Sequence, residues 1–234
     1  MTMAAKAGTV VDIAKPEAIG PLRAHRRARR RANKIRRLHH HAVRTDDMEA
    51  TRRFYEDLVG MPMVAALKGN VDPTTGRATP FLHCFFEMGD GGSLAFFQFM
   101  PEVYGPATNL PRNGIDHHIA VSVADFADLA AIKSTLDAEG YRNCGINHGF
   151  CYSLYVRDPN NMLLEFVADA ANELELNENA AALAHDELAK WNRRDFSGGD
   201  VEPVTVEYPL PTSPAEDILK VVLDQPRDDT VAQA

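Results

Sequence analysis

Two histidine clusters and one isolated glutamate stand in apolar, strand-like sequence: Leu38-His39-His40-His41-Ala42-Val43, Asp116-His117-His118-Ile119-Ala120-Val121 and Met162-Leu163-Leu164-Glu165-Phe166. Two imidazoles and one carboxylate can hold a divalent metal on one face and leave its other positions free for substrate and oxygen. A carboxylate amid Leu163, Leu164 and Phe166 is costly to bury alone. Coordination removes that cost, and so would pairing with a buried Arg or Lys. Metal-assisted enzymology is therefore the first expectation.

Strand alternation sends only every second side chain to one face, so His40 points away from both His39 and His41. Asp47 lies seven residues past His40, and Asp125 lies seven past His118. The equal offset sets the register between two copies of one pattern and makes His40 and His118 equivalent positions. His39, His41 and His117 then fall on the other face or nearby.

The elements that must carry these residues read alike in both copies. Each opens with a strand, Leu38 to Thr45 and Ile115 to Val123, and each strand ends at an Asp suited to cap a helix. Met48, Thr51, Tyr55 and Leu58 are spaced for one helical face with Gly60 as stop; Phe126, Leu129, Ala130, Ile132, Lys133 and Leu136 repeat this with Gly140 as stop. Three strands follow each helix: Pro62 to Leu67, Phe81 to Met88 and Ser93 to Phe99, then Arg142 to Gly145, Tyr152 to Arg157 and Met162 to Val167. Gly89-Asp90-Gly91-Gly92 and Asp158-Pro159-Asn160-Asn161 supply the last turns. The organisation is a basic arm over 1–35, β-α-β-β-β modules over 36–100 and 113–168 joined by a Pro- and Gly-containing linker, and a C-terminal helix with tail over 169–234.

A further constellation runs Ile146-Asn147-His148, Leu154-Tyr155, Asp158-Pro159, Asn161 and Glu165. With the duplicated module it resembles the vicinal oxygen chelate superfamily, which includes glyoxalase I, bleomycin and fosfomycin resistance proteins and extradiol dioxygenases, and it lies closest to the type I extradiol signature. That signature ordinarily has Gly or Pro where this chain has Asn161, and a tight turn accommodates Asn because it tolerates positive φ. The resemblance covers about 36–168. It implies an α+β fold in which paired modules curl into a half-open mixed β-barrel around a metal held by His40, His118 and Glu165. It also implies His148 as second-sphere acid/base and Tyr155 as hydrogen-bond donor to a bound substrate oxygen. An imidazole titrating near the working pH suits a catechol that must shed protons.

Glyoxalase I enzymes add a fourth ligand from the last strand of the first module, where Gln98 is the only donor oxygen here. An open three-ligand site favours Fe(II), with Mn(II), Ni(II) or Zn(II) as alternatives. Ring-cleaving relatives place a further His just before Leu94-Ala95-Phe96, where this chain has Gly92; His83 is a candidate for that role. Phe97 and Phe150, with Phe81, Phe86 and Tyr152, are candidate pocket walls. The reading is an extradiol-type dioxygenase taking a small aromatic diol and O2. A glyoxalase-like isomerase or lyase and a non-catalytic resistance-type binder are the alternatives.

Charge is divided along the chain. Residues 1–37 carry eleven Lys or Arg against Asp12 and Glu17, so +9, leaving −17 of the net −8 for the remainder. This Arg-rich run lacks stacking aromatics and any recognised nucleic-acid motif, so nucleic acid is disfavoured, and a helical arm lying on acidic surface is the expectation. No apolar run is long enough to span a bilayer and no compact signal segment opens the chain, which reads as cytoplasmic with no membrane partner. Cys84, Cys144 and Cys151 suit buried reduced thiols. Ala180, Leu183, Ala184, Leu188 and Trp191 form an apolar stripe for packing on the barrel or a neighbouring subunit. The tail beyond Gly198, Pro-rich to Pro214 with a short apolar segment at Ile218 to Leu223, reads as an extended arm wrapping a partner subunit or as partly disordered, and the oppositely charged ends favour a homodimer or higher homo-oligomer.

Overall fold

The computed structural model describes residues 19–35, 37–72, 75–107, 117–195 and 210–222. Two compact units divide them. The larger contains both modules. In the first, β1 (His40–Arg44) leads to α2 (Met48–Arg52), which continues as a π-helical stretch Arg53–Leu58 and is followed by β2 (Met63–Val71), β3 (Ala78–Glu87), β4 (Ser93–Phe99) and a short α3 (Pro101–Tyr104). In the second, β5 (His118–Ser122), α4 (Phe126–Ala138), β6 (Asn143–Asn147), β7 (Cys151–Arg157) and β8 (Leu163–Asp169) repeat the order.

Each module forms its own four-stranded mixed sheet, β1-β4-β3-β2 and β5-β8-β7-β6. The first strand pairs parallel with the last in both, His40 opposite Ser93 and His118 opposite Leu163. The internal repeat is thus real at the level of topology, and among the described residues the sheets do not close into one ring.

Both aspartates cap as expected. Asp47 accepts from the Ala50 amide at 2.9 Å, and Asp125 accepts from Ala127 and Asp128 at 2.8 and 3.0 Å. Gly60 and Gly140 adopt φ of 85° and 75°, the left-handed turn that ends each helix. The π-helical stretch departs from the expected single stripe: its wider turn buries both Phe54 and Tyr55, while Leu58 is only half-buried. Phe54 meets Tyr141, and Tyr55 packs against Phe86 and Phe96. The three cysteines are free and buried, as expected.

The smaller unit holds α1 (Ile19–Ala32), α5 (Glu173–Asn192) and residues 147–152. Arg26 donates to both carboxylate oxygens of Glu173 at 2.8 and 2.7 Å; Arg29 forms a two-pronged pair with Glu178 at 2.9 and 2.8 Å, and His25 joins it at 3.1 Å. Helix α1, the described part of the basic arm, therefore lies on acidic residues of its own chain. Within the chain, the apolar stripe of α5 is not its covered side. Leu183, Leu188 and Trp191 are exposed, and the residues that α5 buries are Glu175 and Glu178. Bidentate arginine pairs satisfy Glu178 and so let an acidic flank be the covered one.

The tail expectation is corrected in part. Residues 196–209 and 223–234 lie outside the described set, but Ala215–Val222 is a helix, α6, packed on the second sheet of its own chain rather than extended. Among the described residues no helix is long and apolar enough to cross a membrane.

Candidate functional site

Alternation puts His118 and Ala120 of β5, Leu163 and Glu165 of β8, and Ser153 and Tyr155 of β7 on one face of the second sheet. There His118 Nε2 lies 3.2 Å from Glu165 Oε2. Ser153 Oγ donates to the other carboxylate oxygen at 2.5 Å. The Tyr155 ring meets that of His118 edge-on, at 71° with centroids 6.4 Å apart. Glu165 is 7 % exposed, and among the described residues no Lys or Arg pairs with it. The explanation by a buried cationic partner therefore fails. The donor set fits a metal: bonds of about 2.1 Å place neighbouring donors about 3 Å apart, as these two are.

His40 is not with them. It is exposed on β1, its Nδ1 2.8 Å from that of His39, with the rings of Phe85 and His83 at 5.5 and 6.2 Å. His39 precedes the strand, so alternation does not bind it to the opposite face. His41 points the other way, towards His117 at 5.5 Å. Among the described residues no three of His, Cys, Asp or Glu gather as a metal-holding group within one chain.

His83 and Phe97 share the His40 face. They stack with centroids 3.4 Å apart, and His83 Nε2 is buried without a hydrogen-bond partner. Burial, with His40 adding to it, pushes the His83 imidazole down to about 4, so it is neutral near pH 7. His148 and Phe150 lie in the smaller unit, in the tight turn joining β6 and β7. There His148 N donates to Cys151 O at 3.0 Å, its ring is 6.1 Å from Phe150, and Phe150 is exposed. Phe86 and Tyr152 are core residues rather than walls.

Three further readings are settled by contacts. Gln98 is engaged at the helix start, its Oε1 accepting from Met48 N and its Nε2 donating to Asp46 O, both at 3.0 Å, so it is not aimed at a metal. Gly92 cannot be the missing histidine, because a Cβ there would lie 2.6 Å from the Leu38 carbonyl oxygen and 2.9 Å from Met88 Cε. Asn161 takes φ 60° in the turn before β8, the conformation expected of it. A pocket of about 420 Å³ beside α2, lined by Asp47, Arg52, Met63, Cys84 and Gln98 among others, opens on the sheet face opposite His40 and holds none of His40, His118 and Glu165.

Ser153 is the residue that sequence reasoning missed. Its signal was present, since a hydroxyl two positions before Tyr155 on a strand must share that face. Groups that orient a ligand are worth roughly 10–100-fold in metal affinity. Ser153→Ala is therefore expected to weaken metal binding about tenfold without lowering the melting temperature, as read by metal titration beside calorimetry; unchanged affinity would remove Ser153 from the site.

The family model described as Glyoxalase/Bleomycin resistance protein/Dioxygenase superfamily matches residues 37–166. Over 103 residues the chain is 30% identical to "Putative ring-cleaving dioxygenase MhqA" of Bacillus subtilis (strain 168), covering 42% of this chain and 30% of that protein. This chain thus matches less than a third of that relative. Among solved structures, the glyoxylase/bleomycin resistance protein/dioxygenase domain from Frankia sp. EAN1pec is similar at TM-score 0.47 and 18% identity, covering 58% of this chain and 100% of that one. The fosfomycin resistance protein FosX of Listeria monocytogenes, complexed with Mn(II) and sulfate, is similar at TM-score 0.42 and 19% identity over 59% of this chain and 97% of that one. The family match spans more than half of the chain and takes in both modules with His40, His118 and Glu165; the chain belongs to the Glyoxalase/Bleomycin resistance protein/Dioxygenase superfamily.

Proposed function

We propose that this protein is an Fe(II)-dependent extradiol-type dioxygenase acting on a small catechol-like diol, working as a homodimer or higher homo-oligomer. The observation that carries the reading is the His118–Glu165 pair, 3.2 Å apart, on the face that also presents Tyr155. The 30% identity to a protein named as a ring-cleaving dioxygenase supports the same class. His40 is the proposed third ligand. Since one chain does not bring it to the other two, a second copy supplies it. A closed two-fold dimer would then hold two equivalent sites.

Bound there, a divalent metal supplies the acidity that favours diol ionisation and the means to engage dioxygen. The protein's share is more specific. Ser153 Oγ fixes Glu165, so one carboxylate oxygen is turned to His118. Tyr155 Oη is assigned a hydrogen bond to a substrate oxygen, and an imidazole nitrogen of His148 receives the proton that a hydroxyl gives up. His83, kept neutral by its burial and stacked on Phe97, is assigned to the substrate-facing wall of the first sheet.

Anaerobic reconstitution of apo-protein with Fe(II), followed by addition of mono- and bicyclic catechols, is expected to give O2 uptake with a yellow ring-cleaved product. No uptake across the panel, with turnover of a glutathione or bacillithiol hemithioacetal instead, would establish the glyoxalase-like alternative.

A further inference from the structure

Helix α6 lies beyond the span matched by the family, yet it sits on the face that carries His118 and Glu165. Val221, 1 % exposed, closes an apolar cluster with Cys144, Tyr155 and Leu163, and Ile218 and Val222 pack around it. Leu163 is the register partner of His118, so the helix rests on the strand position beside the metal ligand. Its placement is fixed at both ends. Ser213 N donates to Gly145 O at 2.8 Å, and Gly145 N donates back to Ser213 Oγ at 2.9 Å. Arg157, which shares the face by alternation, donates through Nε to Val221 O at 3.0 Å and through Nη2 to Val222 O at 2.8 Å, satisfying carbonyls that a helix end leaves open. Its Nη1 ties the same guanidinium to Asn161 O at 2.9 Å, in the turn that precedes β8.

Exposure is uneven across the face. The His118 side chain is 42% exposed, whereas Tyr155 is 8% exposed. The face is therefore open at His118 on β5 and covered on the side of β7 and β6, where α6 stands. We infer that α6 is a fixed wall beside the metal site, with Val221 and Ile218 limiting how far a ligand held at His118 and Glu165 extends over Tyr155. This rests on the metal-site reading above and deepens it: the ligand accepted is a chelating molecule whose substituents are small on the Tyr155 side. Size discrimination by an apolar wall follows from the 10–200-fold worth of about one methylene in a filled pocket.

The test uses bidentate chelators that need only an open metal position, whatever reaction the enzyme performs. Full-length protein loaded with Mn(II) is titrated with acetohydroxamate and 2-naphthohydroxamate, and hydrogen exchange of residues 215–222 is followed with and without each. Val221→Ala is expected to raise the affinity for 2-naphthohydroxamate relative to acetohydroxamate about tenfold, by the measure of a removed wall group. Ile218→Ala, at a half-buried position, is expected to move the ratio the same way and guards against a Val221 variant that fails to fold. In wild-type protein, 2-naphthohydroxamate should slow exchange in α6. An unchanged affinity ratio in folded, metal-loaded variants, or α6 exchange indifferent to the bulky chelator, would overturn the inference alone. A wild-type chain that holds no metal would overturn the functional reading and this inference with it.

Discussion

Mixing His40→Ala protein with His118→Ala protein is expected to restore metal binding and catechol oxidation that neither variant shows alone. Each substitution removes a proposed ligand, and since even orienting groups are worth 10–100-fold, each single variant should fall by at least about a hundredfold. Recovery follows from where the side chains lie. His118 and Glu165 converge on the second sheet, while His40 stands on the first among His39, His83 and Phe85. If the third ligand comes from a second copy, a mixed dimer contains one site with both histidines replaced and one with both intact. Random exchange between equal amounts of the two variants then leaves about a quarter of all sites whole. Iron content and O2 uptake should both approach that fraction, with mixed dimers verified by mass. No recovery in verified mixed dimers would place His40 in its own chain's site or outside the site altogether.

Much of this was legible because the chain states it twice. The seven-residue offsets from His40 to Asp47 and from His118 to Asp125 mark equivalent strand and cap positions, and both caps form. The bounds of β4, Ser93–Phe99, match the expectation because a Gly-rich turn and Pro101 enclose a mostly apolar run broken only at Gln98. Glu165 was readable from its burial cost. Other features depend on partners that no local pattern encodes. The stripe of α5 carries a helical period, but the period does not say which side is covered; Arg26 and Arg29 of a distant helix decide that for Glu173 and Glu178. The π-helical turn accommodates two adjacent aromatics, Phe54 and Tyr55, and Phe54 lies outside the expected stripe of Met48, Thr51, Tyr55 and Leu58. The apolar segment at Ile218 was visible, yet its docking on Cys144, Tyr155 and Leu163 is a tertiary fact. The separation of His40 from His118 is of the same kind, since equivalence by sequence fixes the strand position but not which side chains converge in space.

Asp158→Ala is expected to cost about 4 kcal/mol of folding stability, the sum of several buried donors left unsatisfied at roughly 1–3 kcal/mol each. Asp158 belongs to the constellation that pointed to chemistry, yet its contacts are those of a structural hub. It is 4 % exposed. Its Oδ1 accepts from the amides of Asn160 and Met162 at 2.8 and 2.7 Å, and its Oδ2 accepts from Tyr55 Oη at 2.9 Å and Asn160 Nδ2 at 3.2 Å. Asn160 Nδ2 also reaches Thr51 Oγ1 at 3.2 Å, so the turn before β8 is joined to the helix of the first module. Alanine removes the acceptor that Asp158 offers to the Tyr55 hydroxyl and to two buried amides. Asparagine keeps one oxygen for the amides while Tyr55 Oη can accept from its nitrogen, so Asp158→Asn should cost only about 1–2 kcal/mol. Urea denaturation of the three proteins measures the difference. Equal losses for the two variants would mean that the negative charge, rather than the acceptor geometry, holds the turn to the first module. Near wild-type stability for alanine would mean that Tyr55 and the turn find other partners. In either folded variant the His118–Glu165 pair is on β5 and β8 rather than in the turn, so metal binding measured well below the melting transition is expected to fall less than tenfold. This is the opposite of the pattern for His118→Ala, where metal is lost and the fold remains.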